Sequence, residues 1–225
     1  LIRLAPGGPF DLEQPLEAKV MENLNRIYKL DRPLIEQYWL YLSHLAVGDF
    51  GPSFYARDFQ VAELLMKGLP VSAVIGGLAL ALAMVIGVAL GAVAAFRQNG
   101  AADYSVMVFA TFGITIPTFV VAPVLQIVFG LMLAWLPVGG WNDGAVRNIV
   151  LPVTALALPQ IAVVARMIRA SMIEALRSNH VRTLRSQGLG ETTVAIHALR
   201  GAMLPVVSYM AVSYTHLTLP TIYSV

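Results

Sequence analysis

The chain has 225 residues, 57% hydrophobic and 12% charged, with a net charge of +2 and a mean hydropathy of +0.71. That balance excludes an ordinary soluble domain, and so small a net charge carries no signal for nucleic acid. Cysteine is absent, which excludes a disulfide framework, a thiol nucleophile and a cysteine-ligated metal.

Leu1 rather than Met opens the chain and no secretory leader precedes it, so it reads as a fragment lacking its start. From Asp11 to Lys67 the composition is that of a water-soluble segment, with acidic and basic side chains nearly balanced. Helices are expected over Leu16–Tyr28 and Leu34–Leu45, followed by a Gly/Pro turn over Gly48–Pro52. With residue 71 this polar region ends, and residues 72–212 read as a membrane domain.

Ser72–Phe96 is uncharged and long enough to cross a hydrocarbon core of about 30 Å. Gly76, Gly77, Gly87 and Gly91 permit close helix approach there. Gly87 and Gly91 have the small-xxx-small spacing, which fits packing inside one bundle. Arg97–Gly100 is a tight polar turn, placed in the cytoplasm by its arginine. Tyr104–Trp141 is again uncharged, with a span expected over about 106–134 and kinked by Pro117 and Pro123. Leu136–Arg147 is an extracytoplasmic turn with Trp141 at interface depth. A further span, about 148–170, contains Pro152 and Pro159 and ends in Arg166 and Arg169. Gln160 is polar within it and is expected to face the bundle interior, where it could line a pore.

Between this span and the next lies the arginine-rich stretch Glu174–Val207. Arg166, Arg169, Arg177, Arg182, Arg185 and Arg200 stand here against Glu174 and Glu191, which puts the stretch in the cytoplasm. It reads as a helix from about Met172 to Gln187, ended by a turn at Gly188 and Gly190, then a second helix. Ile173, Leu176, Val181 and Leu184 share one face and the arginines mostly the other. On pattern alone an amphipathic helix resting on the membrane surface fits as well as a docking element. Ala202–Val212 starts a last span that is incomplete as read, and Ser213–Val225 reads as a non-native tail.

Several chemistries lack their residues. There is no G-x-x-x-x-G-K-[ST] phosphate loop, and no G-x-S-x-G elbow. His44, His180, His197 and His216 are scattered, without metal-ligand spacing. No carboxylate is placed inside an expected span, as a proton-coupled carrier or an intramembrane hydrolase would require. The chain reads as neither an enzyme nor a cofactor protein.

The run Val181-Arg182-Thr183-Leu184-Arg185-Ser186-Gln187-Gly188-Leu189, with His197-Ala198-Leu199-Arg200 and Leu204-Pro205, resembles the cytoplasmic loop of ABC importer permeases. The resemblance is to the dipeptide/oligopeptide class, on its B-type subunit, and it covers nearly all of Leu1–Val212. Leu184 and Ser186 stand where many relatives carry alanine. Leu1–Gly8 is similar to the segment after the family's first membrane span, which implies such a span missing ahead of Leu1. Leu30–Leu34, Gln37-Tyr38 and Gly48–Gly51 are similar to its extracytoplasmic segment, and Leu136–Trp141 to its Leu-Pro-Gly-Gly turn. Gly113–Phe119 looks like its Ser-Leu-Pro-Ser-Phe element.

The resemblance implies an all-α polytopic membrane helix bundle in a bacterial inner membrane. It further implies a coupling helix docked on an ATPase, with Arg177, Val181, Arg182, Thr183, Leu184, Arg185, Gln187, Gly188 and Leu189 as its coupling residues. Thr115, Pro117, Thr118 and Phe119 become candidates for the translocation path, beside Gln160. The implied partners are a second permease subunit, two ATPase subunits, an extracytoplasmic substrate-binding protein and the lipid bilayer. ATP and Mg would bind the ATPases only. The cargo would be di- or oligopeptides or a similar small solute. An ion-coupled secondary carrier and a non-transporting membrane scaffold are the alternatives.

Overall fold

Proline and glycine positions decide where the helices start, bend and stop. The computed structural model describes residues 32–51 and 59–221, with side chains described as far as Tyr214. The expected helix Leu16–Tyr28 lies outside the described residues. By internal packing the chain divides into one unit ending at Leu65 and another beginning at Met66.

In the first unit, α1 spans Leu34–Ala46 directly after Pro33, close to the expected limits. It stops where Gly48 takes φ +78°, a left-handed conformation that costs glycine little. The amides of Gly48 and Asp49 then turn back to the carbonyls of Leu45 and His44, at 3.0 and 2.9 Å. Asp49 Oδ1 accepts the Gly51 amide at 2.9 Å and Oδ2 meets His44 Nδ1 at 2.7 Å, which fixes the turn.

α2 spans Val61–Phe96, a longer helix than the uncharged run that predicts it. Its buried positions form a stripe of mostly small residues: Gly68, Ser72, Gly76, Ala79, Ala83, Gly87, Gly91, Ala94 and Ala95. Spacings of three and four keep these on one face. The turn at Arg97–Gly100 follows, as expected, and α3 spans Ala101–Thr115.

The stretch expected as a kinked span over 106–134 is sharply bent at Pro117. α3 is 15 residues long, so at about 1.5 Å per residue it falls short of a bilayer core. Ile116 is extended (φ −82°, ψ 118°), and the helical segment Thr118–Met132, which opens with α4 (Thr118–Leu125), leaves at 99° to α3. The cause is Pro117. Its ring drives the preceding residue out of the helical region, and it supplies no amide to continue the ladder. α4 runs on into a π-helical segment, Gln126–Met132, beginning within one turn of Pro123.

A short 3₁₀ turn, Asn142–Gly144, leads into α5, Val146–Leu176. Pro152 and Pro159 lie inside α5 without ending it. α6 spans Asn179–Ser186 and α7 spans Glu191–Thr221, so the last helix is much longer than Ala202–Val212. α2, α5 and α7 (the last counted to Tyr214) are long and apolar enough to cross a membrane, and α3 with α4 and the π segment forms a sharply bent fourth element. The described structure is thus the all-α bundle that the sequence predicts.

α5 is the hub of the second unit. Ile161, Ala162, Val164, Ala165, Ile168 and Met172 are buried around much of its circumference. Its neighbours are α3, α4 and α7, and on another face Gly87 and Gly91 of α2. Both glycines touch α5 so closely that a Cβ would collide with Val164 or with the Ala165 carbonyl. Gly77 faces open space. Close approach without side chains is how helices gain contact where lipid removes the hydrophobic drive.

The candidate coupling site

The expected helix Met172–Gln187 is two helices. α5 ends at Leu176, Arg177 caps it, and Ser178 turns extended (ψ 155°) before α6 begins. Ser178 is an N-cap residue: its Oγ accepts the Val181 amide at 3.4 Å, occupying one of the donors left free at a helix start. A helical period read across the junction misses this break, because the apolar face continues through it. α6 ends at Gly188, where φ is +77° and the amide donates to the Arg185 carbonyl at 3.0 Å. The Gly190 carbonyl then accepts the first amides of α7, from Thr193 and Val194.

The two faces of α6 differ. Val181 is 1% exposed and Leu184 9%, packed with Val194 and Ala198 of α7 and with Ala175 and Leu176 of α5. Arg182, Thr183, Arg185, Gln187, Gly188 and Leu189 are exposed. Of the nine predicted coupling residues, Val181 and Leu184 therefore hold α6 onto its own chain, while those six form a free surface. Arg177 points back instead, its Nη2 donating to Gln98 Oε1 at 3.1 Å.

Arg185 lies beside Glu191, with Nε and Nη2 donating to its two oxygens at 3.0 and 3.1 Å. The pair is exposed and screened by solvent, so it adds little to stability. It closes the Gly188–Gly190 turn across its ends. His180 of α6 and His197 of α7 meet edge to face, with ring centroids 5.9 Å apart.

The path candidates fall in two places: Thr115, Pro117, Thr118 and Phe119 at the bend, and Gln160 apart from them. Thr115 ends α3, with Oγ1 donating to the Thr111 carbonyl at 2.8 Å. Pro117 starts α4, and Thr118 and Phe119 are exposed beside it. The α3 end rests on α5 at Leu158 and Ala162, the contacts that a side chain at Gly113 would meet. Gln160 is two residues from each, on the opposite face of α5 by helical geometry. There it accepts the Tyr209 hydroxyl at 2.7 Å, bonding α5 to α7.

One buried pair was not expected. Asp103, in the first turn of α3, is 2% exposed and accepts both Arg169 Nε and Nη2, at 2.5 and 2.6 Å. Its Oδ2 also takes the Asn99 amide at 2.9 Å. Asp103 lies ahead of the uncharged run from Tyr104, because α3 starts earlier than that run; the stretch expected to span, about 106–134, itself holds no carboxylate. The readable signal was a lone aspartate facing, across two spans, an arginine set well inside the end of its helix. Read separately, the arginine resembled an interfacial anchor.

The turn Arg97–Gly100 thus lies beside the α5–α6 junction, at one end of the bundle. At α5's other end, Asn148 donates to the Gly139 and Gly140 carbonyls, at 3.2 and 2.9 Å. The two turns assigned to opposite membrane faces therefore meet opposite ends of α5. Residues 87–222, which include this whole arrangement from α3 to α7, match the family described as the binding-protein-dependent transport system inner membrane component. The chain belongs to that family.

Individual relatives agree. The chain is 49% identical over 215 residues to the oligopeptide transport system permease protein OppB of Salmonella typhimurium, covering 95% of this chain and 70% of that protein. OppB of Escherichia coli K12 is 48% identical over the same shares. The dipeptide transport system permease protein DppB of Bacillus subtilis is 38% identical over 211 residues, 93% of this chain and 68% of that protein. This permease is accordingly an inner-membrane component of an ABC importer, working with ATPase and binding-protein partners. It is not itself an enzyme.

Proposed function

We propose that this permease passes dipeptides or oligopeptides across the inner membrane, as one half of a pore completed by a second permease subunit. Two ATPase subunits bind ATP and Mg, and no cofactor resides on this chain. An extracytoplasmic binding protein delivers the peptide. The exposed face of α6, with Arg182, Thr183, Arg185, Gln187 and Leu189, seats on the ATPase. Thr115, Pro117, Thr118 and Phe119, at the 99° bend between α3 and the segment that opens with α4, line the path.

The observation that carries this reading is the separateness of α6. It is a short helix with one face fixed to α5 and α7 by Val181 and Leu184 and the other free for a partner. Chain continuity on both sides means that a push on α6 tilts α5 and α7 together, the rigid-body switching that alternating access uses. Gln160, bonded to Tyr209, belongs to the strut between those two helices.

The test is uptake by the assembled transporter carrying Arg182→Glu or Gly188→Pro. Proline cannot adopt the φ of +77° found at Gly188. Both variants are expected in the membrane at normal levels and without uptake. Normal uptake by either one removes the coupling role.

A further inference from the structure

The path from α6 into the spans has a second branch. α6 is joined by the chain to α5 and α7, but two side-chain contacts also tie its upstream junction to the turn between α2 and α3. Arg177, the cap of α5, reaches Gln98 at 3.1 Å. Arg169, two turns earlier on α5, holds Asp103 through two parallel bonds. Asp103 in turn accepts the Asn99 amide, so the carboxylate is fixed to the turn as well as to the arginine.

The Arg177–Gln98 bond is exposed, but the Arg169–Asp103 contact differs from a surface ion pair. Asp103 is buried, and the Arg169 side chain is 25% exposed. A two-pronged guanidinium–carboxylate pair fixes orientation as well as distance. A buried charge that loses its partner is strongly unfavourable, so the pair resists separation. Small residues press α2 against α5 just beside it, with Ala95 and Ala94 packed among Ile168, Met172 and Ala165. The cytoplasmic ends of α2, α3 and α5 are thereby locked at three places.

We propose that Asp103, Arg169, Gln98 and Arg177 form a clamp that makes the α2–α3 turn move as one body with the α5–α6 junction. A displacement of α6 is then delivered to α3, and through α3 to the bend at Ile116–Pro117, as well as to α5 and α7. These are positioning residues: they touch neither nucleotide nor cargo. The inference rests on the proposed ATP-driven coupling through α6 and adds the route by which it reaches the bent element.

The experiment uses the complete transporter in proteoliposomes, with ATP hydrolysis and labelled-dipeptide uptake measured on the same preparation. ATP-dependent uptake by the unaltered transporter is the reference, and its absence would sink the function reading rather than the clamp. Asp103→Asn is expected to hydrolyse ATP within about two-fold of the reference while uptake per ATP falls at least ten-fold. A merely structural pair would lower both rates together with the yield of assembled complex. This chain has no cysteine, so a second variant, Gln98→Cys with Arg177→Cys, can be joined by a short bismaleimide, with the partner subunits made cysteine-free. Replacing both residues removes their bond; because the clamp moves as one body, joining them is expected to bring uptake back to within about two-fold of the reference. Unchanged uptake per ATP in Asp103→Asn, or uptake that joining residues 98 and 177 does not bring back to that level, overturns the proposal. If Asp103→Asn does not assemble, the joined pair decides alone.

Discussion

A Cβ on Gly91 would stand 2.5 Å from the carbonyl oxygen of Ala165, and the same atom would lie 2.8 Å from Ile168 Cβ. The contact is with backbone, so a side chain there can be accommodated only by moving α2 away from α5. Gly91→Ala is expected to destabilise the protein by about 1–3 kcal/mol, the usual cost of overfilling a packed contact. Gly77→Ala, with nothing within 4 Å, is the control. Thermal unfolding in detergent should lower the midpoint for the first and leave it unchanged for the second.

The faces of α6 should separate stability from transport. Val181→Asp puts an unpaired carboxylate against Val194 and Ala198, at a cost of several kcal/mol. It should free α6 from α7 and expose the Arg182–Ser186 bonds to protease. Arg182→Glu, on the exposed face, should leave the protease pattern and the unfolding midpoint unchanged while uptake is lost. Limited proteolysis and uptake, read side by side, check both outcomes.

Tyr209→Phe removes the hydroxyl that donates to Gln160 and keeps the ring. The expected loss is about 0.5–1.5 kcal/mol of stability, with the affinity for peptide unaltered. A change in the peptide concentration that half-saturates uptake, without a change in stability, would place Gln160 in the path rather than in the α5–α7 strut.

Asp49 provides a pH dependence outside the spans. Its bond to His44, and then the Gly51 amide, hold its carboxyl below the ordinary carboxylate value of ~3.9. A carboxylate with a lowered pKa contributes stability above its ordinary value and loses it as pH falls through the lowered one. The protection of the Val47–Gly51 amides, the slowing of their exchange relative to an unstructured chain at the same pH, should be unaffected from pH 7 to pH ~5 and fall below pH ~4. In Asp49→Asn the protection should be low throughout and should not change with pH over that range.

Much of this was readable in the residues. The uncharged runs located α2 and α5, and Gly48 and Gly188 marked helix ends because a left-handed turn has few other candidates. Gly87 and Gly91 announced a close contact, though their partner, α5, could not be named from spacing alone. Other features were hidden. Pro117 was legible as a kink, but the size of the bend depends on where α4 finds its packing surface. The break at Ser178 was masked by an apolar face continuing across it. Asp103 and Arg169 are 66 residues apart in sequence, and only the hairpin of α2 and α3 against α5 brings them together. The site was legible as a stretch; which of its residues face inward was settled by α7, whose Val194 and Ala198 claim one side of α6.

The measurement that bears most directly on the central claim is labelled-dipeptide uptake into proteoliposomes holding this permease, its partner permease and the ATPases. ATP is enclosed in the lumen and the binding protein is supplied outside. The account predicts accumulation that needs both ATP and the binding protein and that a proton or sodium gradient cannot replace. Uptake driven by such a gradient without ATP would contradict it.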